Sequence, residues 1–226
     1  MSDNLFDLLA TRIRDPEAVA IETQAGERIR YGDLIARSGR MANALAGLGV
    51  QPGDRVALIS ATRYEWSLLD FAIWAAGAVS VPVYPSSSLS QMQWIIEDSG
   101  AVLAVTETRD HTELISHLVL REDGTPGLQG SPSQLRRVLE INSSAIATLK
   151  FEGREIDPAE VDARITGTDT DSLASLVYTS GTTGRPKGCR LTHRNWLAEV
   201  RAILSHPVGG IAHPGTRALT FLPLAH

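Results

Sequence analysis

Cysteine is almost missing from this chain. The single Cys189 can form no internal disulfide and no cysteine-based metal site. Its side chain reads as a small apolar group for burial rather than as a nucleophile. Basic clusters are missing too. A formal net charge of −5 and a pI near 5.7 give no electrostatic case for nucleic-acid binding. No run of Lys and Arg would draw the chain to an anionic membrane surface. Apolar runs are short: the longest, Phe71 to Val79, covers about half of a membrane span. The stretch Met1–Asp7 is acidic and lacks the apolar core of a signal peptide, so the expected location is the cytoplasm, with any membrane contact peripheral. Without an export signal, the triplet Asn142-Ser143-Ser144 carries no meaning for glycosylation. Repeats and low-complexity tracts are absent, and Gly124–Pro132 reads as an exposed loop too short to divide independent domains. His206 and His213, each followed by proline, share no metal-ligand spacing with His226, so no metal site is expected.

What is present supports a packed core. Hydrophobic residues make up 43% and charged residues 21%, which excludes wholesale disorder. Short β-like runs alternate with helical stretches, the signature of a layered α/β fold with a mostly parallel sheet flanked by helices. Ala18–Ile21 and Arg28–Tyr31 flank Gln24-Ala25-Gly26 as a hairpin. Helical spacing runs from Leu34 to Leu48, from Glu65 to Ala76, from a Ser90 cap to Ile96, from His111 to Leu120, and from Asn195 to Leu204 behind a Thr192 cap. Strands are expected at Val56–Ile59, Val81–Pro85, Ala101–Val105, Leu173–Tyr178 and Ala218–Phe221. The four tryptophans sit in or beside apolar stretches and read as core residues.

The segment Tyr178-Thr179-Ser180-Gly181-Thr182-Thr183-Gly184-Arg185-Pro186-Lys187-Gly188 follows directly on an apolar run. Its glycines let main-chain N–H groups approach an anion and tolerate positive φ. The hydroxyls add neutral donors, and Lys187 adds a point charge suited to phosphate. Of 21 basic residues only Lys150 and Lys187 are lysines, so a lysine here stands out. The chemistry is that of a loop gripping a polyphosphate. The NTPase loop G-x-x-x-x-G-K-[ST] does not fit. Counting from Gly184, Cys189 stands where the second glycine is required, and Lys187 is followed by Gly188 rather than a hydroxyl residue. Pro186 also removes one N–H just before the lysine.

Residue for residue, Tyr178–Gly188 resembles the phosphate loop of the AMP-forming acyl-adenylate ligases, Y-T-S-G-T-T-G-x-P-K-G. That superfamily includes acyl-CoA synthetases, luciferases and the adenylation domains of peptide synthetases. Tyr31-Gly32-Asp33-Leu34 and Gly49–Val56 look like its opening segment. Glu65-Trp66, Ala75–Pro85 and Phe221-Leu222-Pro223-Leu224-Ala225-His226 are similar to its long-chain fatty-acid–CoA ligase branch. The likeness runs from near Glu17 to the last residue. It implies a fatty acid, ATP and coenzyme A as substrates, with Mg2+. A carboxylate oxygen attacks the α-phosphorus of ATP, pyrophosphate departs, and a thiol then displaces AMP from the mixed anhydride. Gly181, Gly184 and Gly188 would offer backbone approach, while Thr179, Ser180, Thr182, Thr183 and Lys187 would bond the β- and γ-phosphates. This is positioning and electrostatics rather than covalent catalysis. His226 would lie near the acyl-binding side as the catalytic candidate, and His193, at a common family position, reads as structural at a helix start.

The family's other parts are not found in these residues. Absent are a Y-G-x-T-E motif for adenine and Mg2+, the later ribose-binding aspartate, and the small C-terminal domain with the adenylation lysine. The resemblance therefore implies an N-terminal portion, inactive by itself: residues 1–172 as a first α/β subdomain, and residues 173–226 as the phosphate loop and incomplete start of a second. Exposed apolar surface and self-association would follow. The alternatives are a medium-chain, aryl-acid or acyl-AMP ligase, an NTP-hydrolysing enzyme releasing orthophosphate, and a non-catalytic nucleotide-binding chain.

Overall fold

The computed structural model describes residues 4–152, 157–179, 185–206, 215–220 and 222–225. Helix α1 (Leu5–Arg12) is capped by the Asn4 side chain, which also donates to the carbonyls of Ile165 and Thr168. A two-stranded hairpin follows, β1 (Val19–Glu22) with β2 (Arg28–Arg30), and then α2 (Tyr31–Gly47). The central alternation is β3 (Arg55–Ile59), α3 (Tyr64–Ala75), β4 (Val79–Val83), α4 (Leu89–Ser99), β5 (Ala101–Thr106), α5 (Arg109–Ser116) and β6 (Arg137–Glu140). Two further helices, α6 (Ala145–Glu152) and α7 (Pro158–Gly167), lead to β7 (Leu173–Thr179), β8 (Lys187–Thr192) and α8 (His193–Ser205).

The main sheet has six strands in the order β6-β5-β3-β4-β7-β8, parallel except for the antiparallel pair β7–β8. Both faces are covered. Val56 and Leu58 of β3 pack with Met41, Leu45, Leu69 and Ile73 of α2 and α3. Ala57 and Ile59, the alternate positions, pack with Met92, Ile95 and Ile96 of α4 and Ile115 of α5. Two-sided burial explains why β3, β4 and β5 read as continuous apolar runs rather than alternating ones. The expected layered α/β fold is therefore found.

Several local expectations need correction. Ser88, not Ser90, caps α4, because Gln91 stands three residues on and returns a bond to the Ser88 N–H in a reciprocal box. Helix α5 stops at Ser116 rather than Leu120, since the Leu120 N–H is drawn to the Leu135 carbonyl. Ala218–Thr220 form no strand, and Phe221 lies outside the described residues. Helices α1, α6 and α7 and strand β8 went unforeseen. Cys189 is exposed rather than buried, because β8 is the outer strand of the sheet. Exposed apolar residues do occur along α8, at Val200, Ile203 and Leu204.

Candidate functional site

Strand β7 runs parallel to β4 and so ends at the carboxyl edge of the sheet, where open α/β folds bind ligands. Strand β8 turns back beside it in register, with Thr179 opposite Lys187 and Tyr178 opposite Gly188. The two ends of the glycine- and threonine-rich loop are thus held face to face. Of the residues expected to grip phosphate, Thr179, Lys187 and Gly188 are described and exposed; Ser180, Gly181, Thr182, Thr183 and Gly184 lie outside the described residues. No ion pair or hydrogen bond engages the Lys187 ammonium among the described residues, which leaves its charge available to an anion.

The loop ends rest on α4. The Tyr178 hydroxyl donates to Asp98 Oδ2 at 2.7 Å. Burial, followed by that bond, pushes the phenol well above its ordinary range. Trp94 Nε1 donates to the Pro186 carbonyl at 2.9 Å, and the Arg185 guanidinium lies 4.5 Å from the indole centroid. Gly188 makes the arrangement possible. A Cβ there would sit 3.0 Å from Cζ and 3.3 Å from the hydroxyl oxygen of Tyr178, so any side chain would displace the ring. Trp94 is therefore more than the core residue expected from sequence; it packs against the second core and also reaches the loop.

A second constellation occupies the carboxyl ends of β3 and β5. These neighbours feed connections in opposite directions, to β4 on one side and β6 on the other, which makes a topological switch point. Glu107 follows β5 and accepts from the Ala61 N–H at 2.8 Å. Arg63 pairs with Glu65 at 2.7 Å, reaches Glu107 at 3.5 Å and donates to Asn142 at 2.7 Å. The bond from Arg63 holds the Glu65 carboxyl below its usual range. Beside them, Thr62 clips the C-terminal segment: its hydroxyl donates to the Leu222 carbonyl at 2.9 Å and accepts from the Leu224 N–H at 3.2 Å. An open cleft of about 2150 Å³ borders Thr62, Arg63 and Leu224. His226, the expected catalytic residue, lies outside the described residues. Thr62→Val is expected to speed amide exchange at Leu224 roughly tenfold, the loss of one hydrogen bond. Thr62→Ser should keep the protection, as read by hydrogen-exchange mass spectrometry.

His193 is structural. It opens α8, is 1% exposed, accepts the Leu5 N–H on Nδ1 at 3.2 Å and meets Trp74 edge-on. Desolvation lowers its pKa to about 4, so the ring is neutral near pH 7. The supporting residues Trp94, Asp98, Thr62 and Glu107 were missed from sequence. Only the four-residue spacing of Trp94 and Asp98, which places them on one face of a helix, was there to be read.

The model of the AMP-binding enzyme family matches residues 10–226. The chain is 46% identical over 186 residues to the long-chain-fatty-acid–CoA ligase FadD15 of Mycobacterium bovis, covering 80% of this chain and 29% of the relative. It is 31% identical over 189 residues to the medium-chain fatty-acid–CoA ligase of Escherichia coli, covering 83% of this chain and 32% of that protein. Among solved structures, ATP-bound MatB from Rhodopseudomonas palustris superposes with a TM-score of 0.72 at 30% identity, over 90% of this chain and 37% of that one. The chain thus spans roughly a third of the length of the relatives it matches. By these matches and by the loop at the carboxyl edge of its sheet, the chain belongs to the AMP-binding enzyme family.

Proposed function

We propose that the protein carrying this chain activates a long-chain fatty acid with ATP and passes the acyl group to coenzyme A. The observation that carries the reading is the β7–β8 register. It sets Lys187, exposed and without a partner among the described residues, opposite Thr179 at the mouth of the loop. In this reading the Lys187 ammonium and the loop's hydroxyl and N–H donors offset charge on the β- and γ-phosphates. The acid's carboxylate can then approach the α-phosphorus, and departing pyrophosphate is held in place. The similarity to a long-chain ligase at 46% identity, against 31% for a medium-chain one, favours the long-chain class.

Among the described residues, no group of three or more His, Cys, Asp or Glu could hold a metal ion. No described helix is long and apolar enough to cross a membrane. The division at residues 172 and 173 belongs to the same proposal. Strand β7 meets β4, its neighbour from the first half, in register at a single pair, Ser80 with Ser175, which suits the opening of a second subdomain.

The test is acid-dependent ATP–pyrophosphate exchange across acyl chain lengths. A maximum with long chains is expected. A maximum with medium-chain or aryl acids would move the substrate class, and orthophosphate release without any acid would sink the ligase reading.

A further inference from the structure

We infer that Trp94 and Asp98 of α4 are positioning residues for the phosphate loop, setting affinity for the β- and γ-phosphates of a nucleoside triphosphate through Tyr178, Arg185 and Pro186. The inference rests on the proposed function of the loop. Its basis is that one helix holds both ends of one loop. Asp98 anchors Tyr178, two residues before Ser180, and Trp94 anchors Arg185 and Pro186, directly after Gly184.

Helix α4 is a firm support. The Ser88–Gln91 box closes its N-terminus, Gly100 ends it in the left-handed region at φ 63°, and Met92, Ile95 and Ile96 bury its inner face. Trp94 and Asp98, four residues apart, project from one face toward the loop ends. The bond from Tyr178 is to a carboxylate, the stronger kind. At the other end, the ring of Pro186 fixes φ, so capture of its carbonyl by the indole N–H fixes the orientation of the chain entering β8. The two cations are then divided in role. Arg185 lies over the indole and anchors the chain beside the loop, whereas Lys187, two residues on, engages no partner among the described residues and is left for the anion. Anchors at Tyr178 and at Arg185 and Pro186 hold Thr179 and Lys187 facing one another before an anion arrives, so less ordering is left for binding to supply, and that saving appears as affinity.

Trp94→Phe removes the indole N–H but keeps a ring under Arg185. Tyr178→Phe removes the phenol but keeps the ring over Gly188. In ATP–pyrophosphate exchange each is expected to raise the KM for ATP about five- to tenfold, and the pair more than either, with the KM for the acid unchanged. Asp98→Asn, which keeps only a weaker, neutral acceptor for Tyr178, should fall between the parent and Tyr178→Phe. Amide exchange at residues 185–188 should quicken in both phenylalanine variants. Faster exchange with an unchanged ATP KM overturns the inference, and so does an acid KM that rises in parallel with that for ATP. A parent protein with no acid-dependent exchange defeats the ligase reading alone. Calorimetric ATP affinity together with amide exchange then decides the clamp, and unaltered values in the variants overturn it.

Discussion

Replacing Lys187 with methionine is expected to lower kcat/KM for ATP in acid-dependent pyrophosphate exchange by about 10²- to 10³-fold, the scale seen when one preorganised donor to developing charge is removed. The fold should not notice. Lys187 is exposed at the first position of an outer strand and engages no partner among the described residues, and methionine keeps most of its apolar stem. The melting transition should therefore stay within experimental scatter of the parent. Lys187→Arg is expected to fall between the two, because a broad planar fork replaces a compact ammonium where a point charge is wanted. The KM for the acid should hardly move in either variant, since the proposed contacts are to phosphate alone. Exchange within threefold of the parent in Lys187→Met would remove Lys187 from the grip and leave the loop's neutral donors to account for binding.

How much of this was written in the chain differs between elements. Strands β3, β4 and β5 were legible because each is buried on both faces and carries an unbroken apolar run. The Thr192 cap of α8 was legible because its partner Asn195 is only three residues away. The same local logic was available for Ser88 with Gln91, and for Asp157 followed by Pro158 at the start of α7, and it was passed over. Strand β8 is a different case. Its residues Lys187-Gly188-Cys189-Arg190 are polar or small and exposed, and only pairing with β7 makes them a strand. That is also why Cys189 ended on the surface: burial there depends on a further neighbour beyond β8, not on the residue type. At the candidate site, the gripping residues lie within one motif and could be read directly. Their supports could not, because Trp94 meets Pro186 across 92 positions and Thr62 meets Leu222 across 160. Contacts of that separation leave no periodic trace in a single sequence.

Asp70→Asn is expected to stabilise the protein at pH 8 by on the order of 2–4 kcal/mol and to leave its stability falling as pH falls in mild acid, where the parent is nearly level. Asp70 is 8% exposed on the inner side of α3, and its Oδ1 has no hydrogen-bond partner among the described residues. Desolvation raises its pKa from 3.8 to about 7, with the nearby Ser80 hydroxyl pulling back only part of the way. Between those two values the folded chain keeps a proton that the unfolded chain has lost. Stability is therefore fully present below about pH 4 and falls by roughly 1.4 kcal/mol per unit as pH rises toward 7. His193 acts in the opposite sense. Its pKa falls from 6.5 to about 4, so below pH 6.5 the unfolded chain takes up a proton that the folded chain refuses, and stability falls as pH falls. From pH 4 to 6.5 the two buried groups nearly cancel, one falling as the other rises. Removing Asp70 should expose the histidine slope, with stability dropping steadily from pH 6.5 to 4.5. His193→Gln, which keeps an acceptor for the Leu5 N–H, should expose the aspartate slope, with stability rising over the same interval relative to the parent. Urea denaturation of the three proteins at pH 4.5, 6.5 and 8 separates these terms, because every other titrating group cancels in the difference from the parent. A constant Asp70→Asn difference across the three values would mean that the carboxyl keeps the same affinity for its proton folded and unfolded, and the buried acid would then be no source of pH dependence.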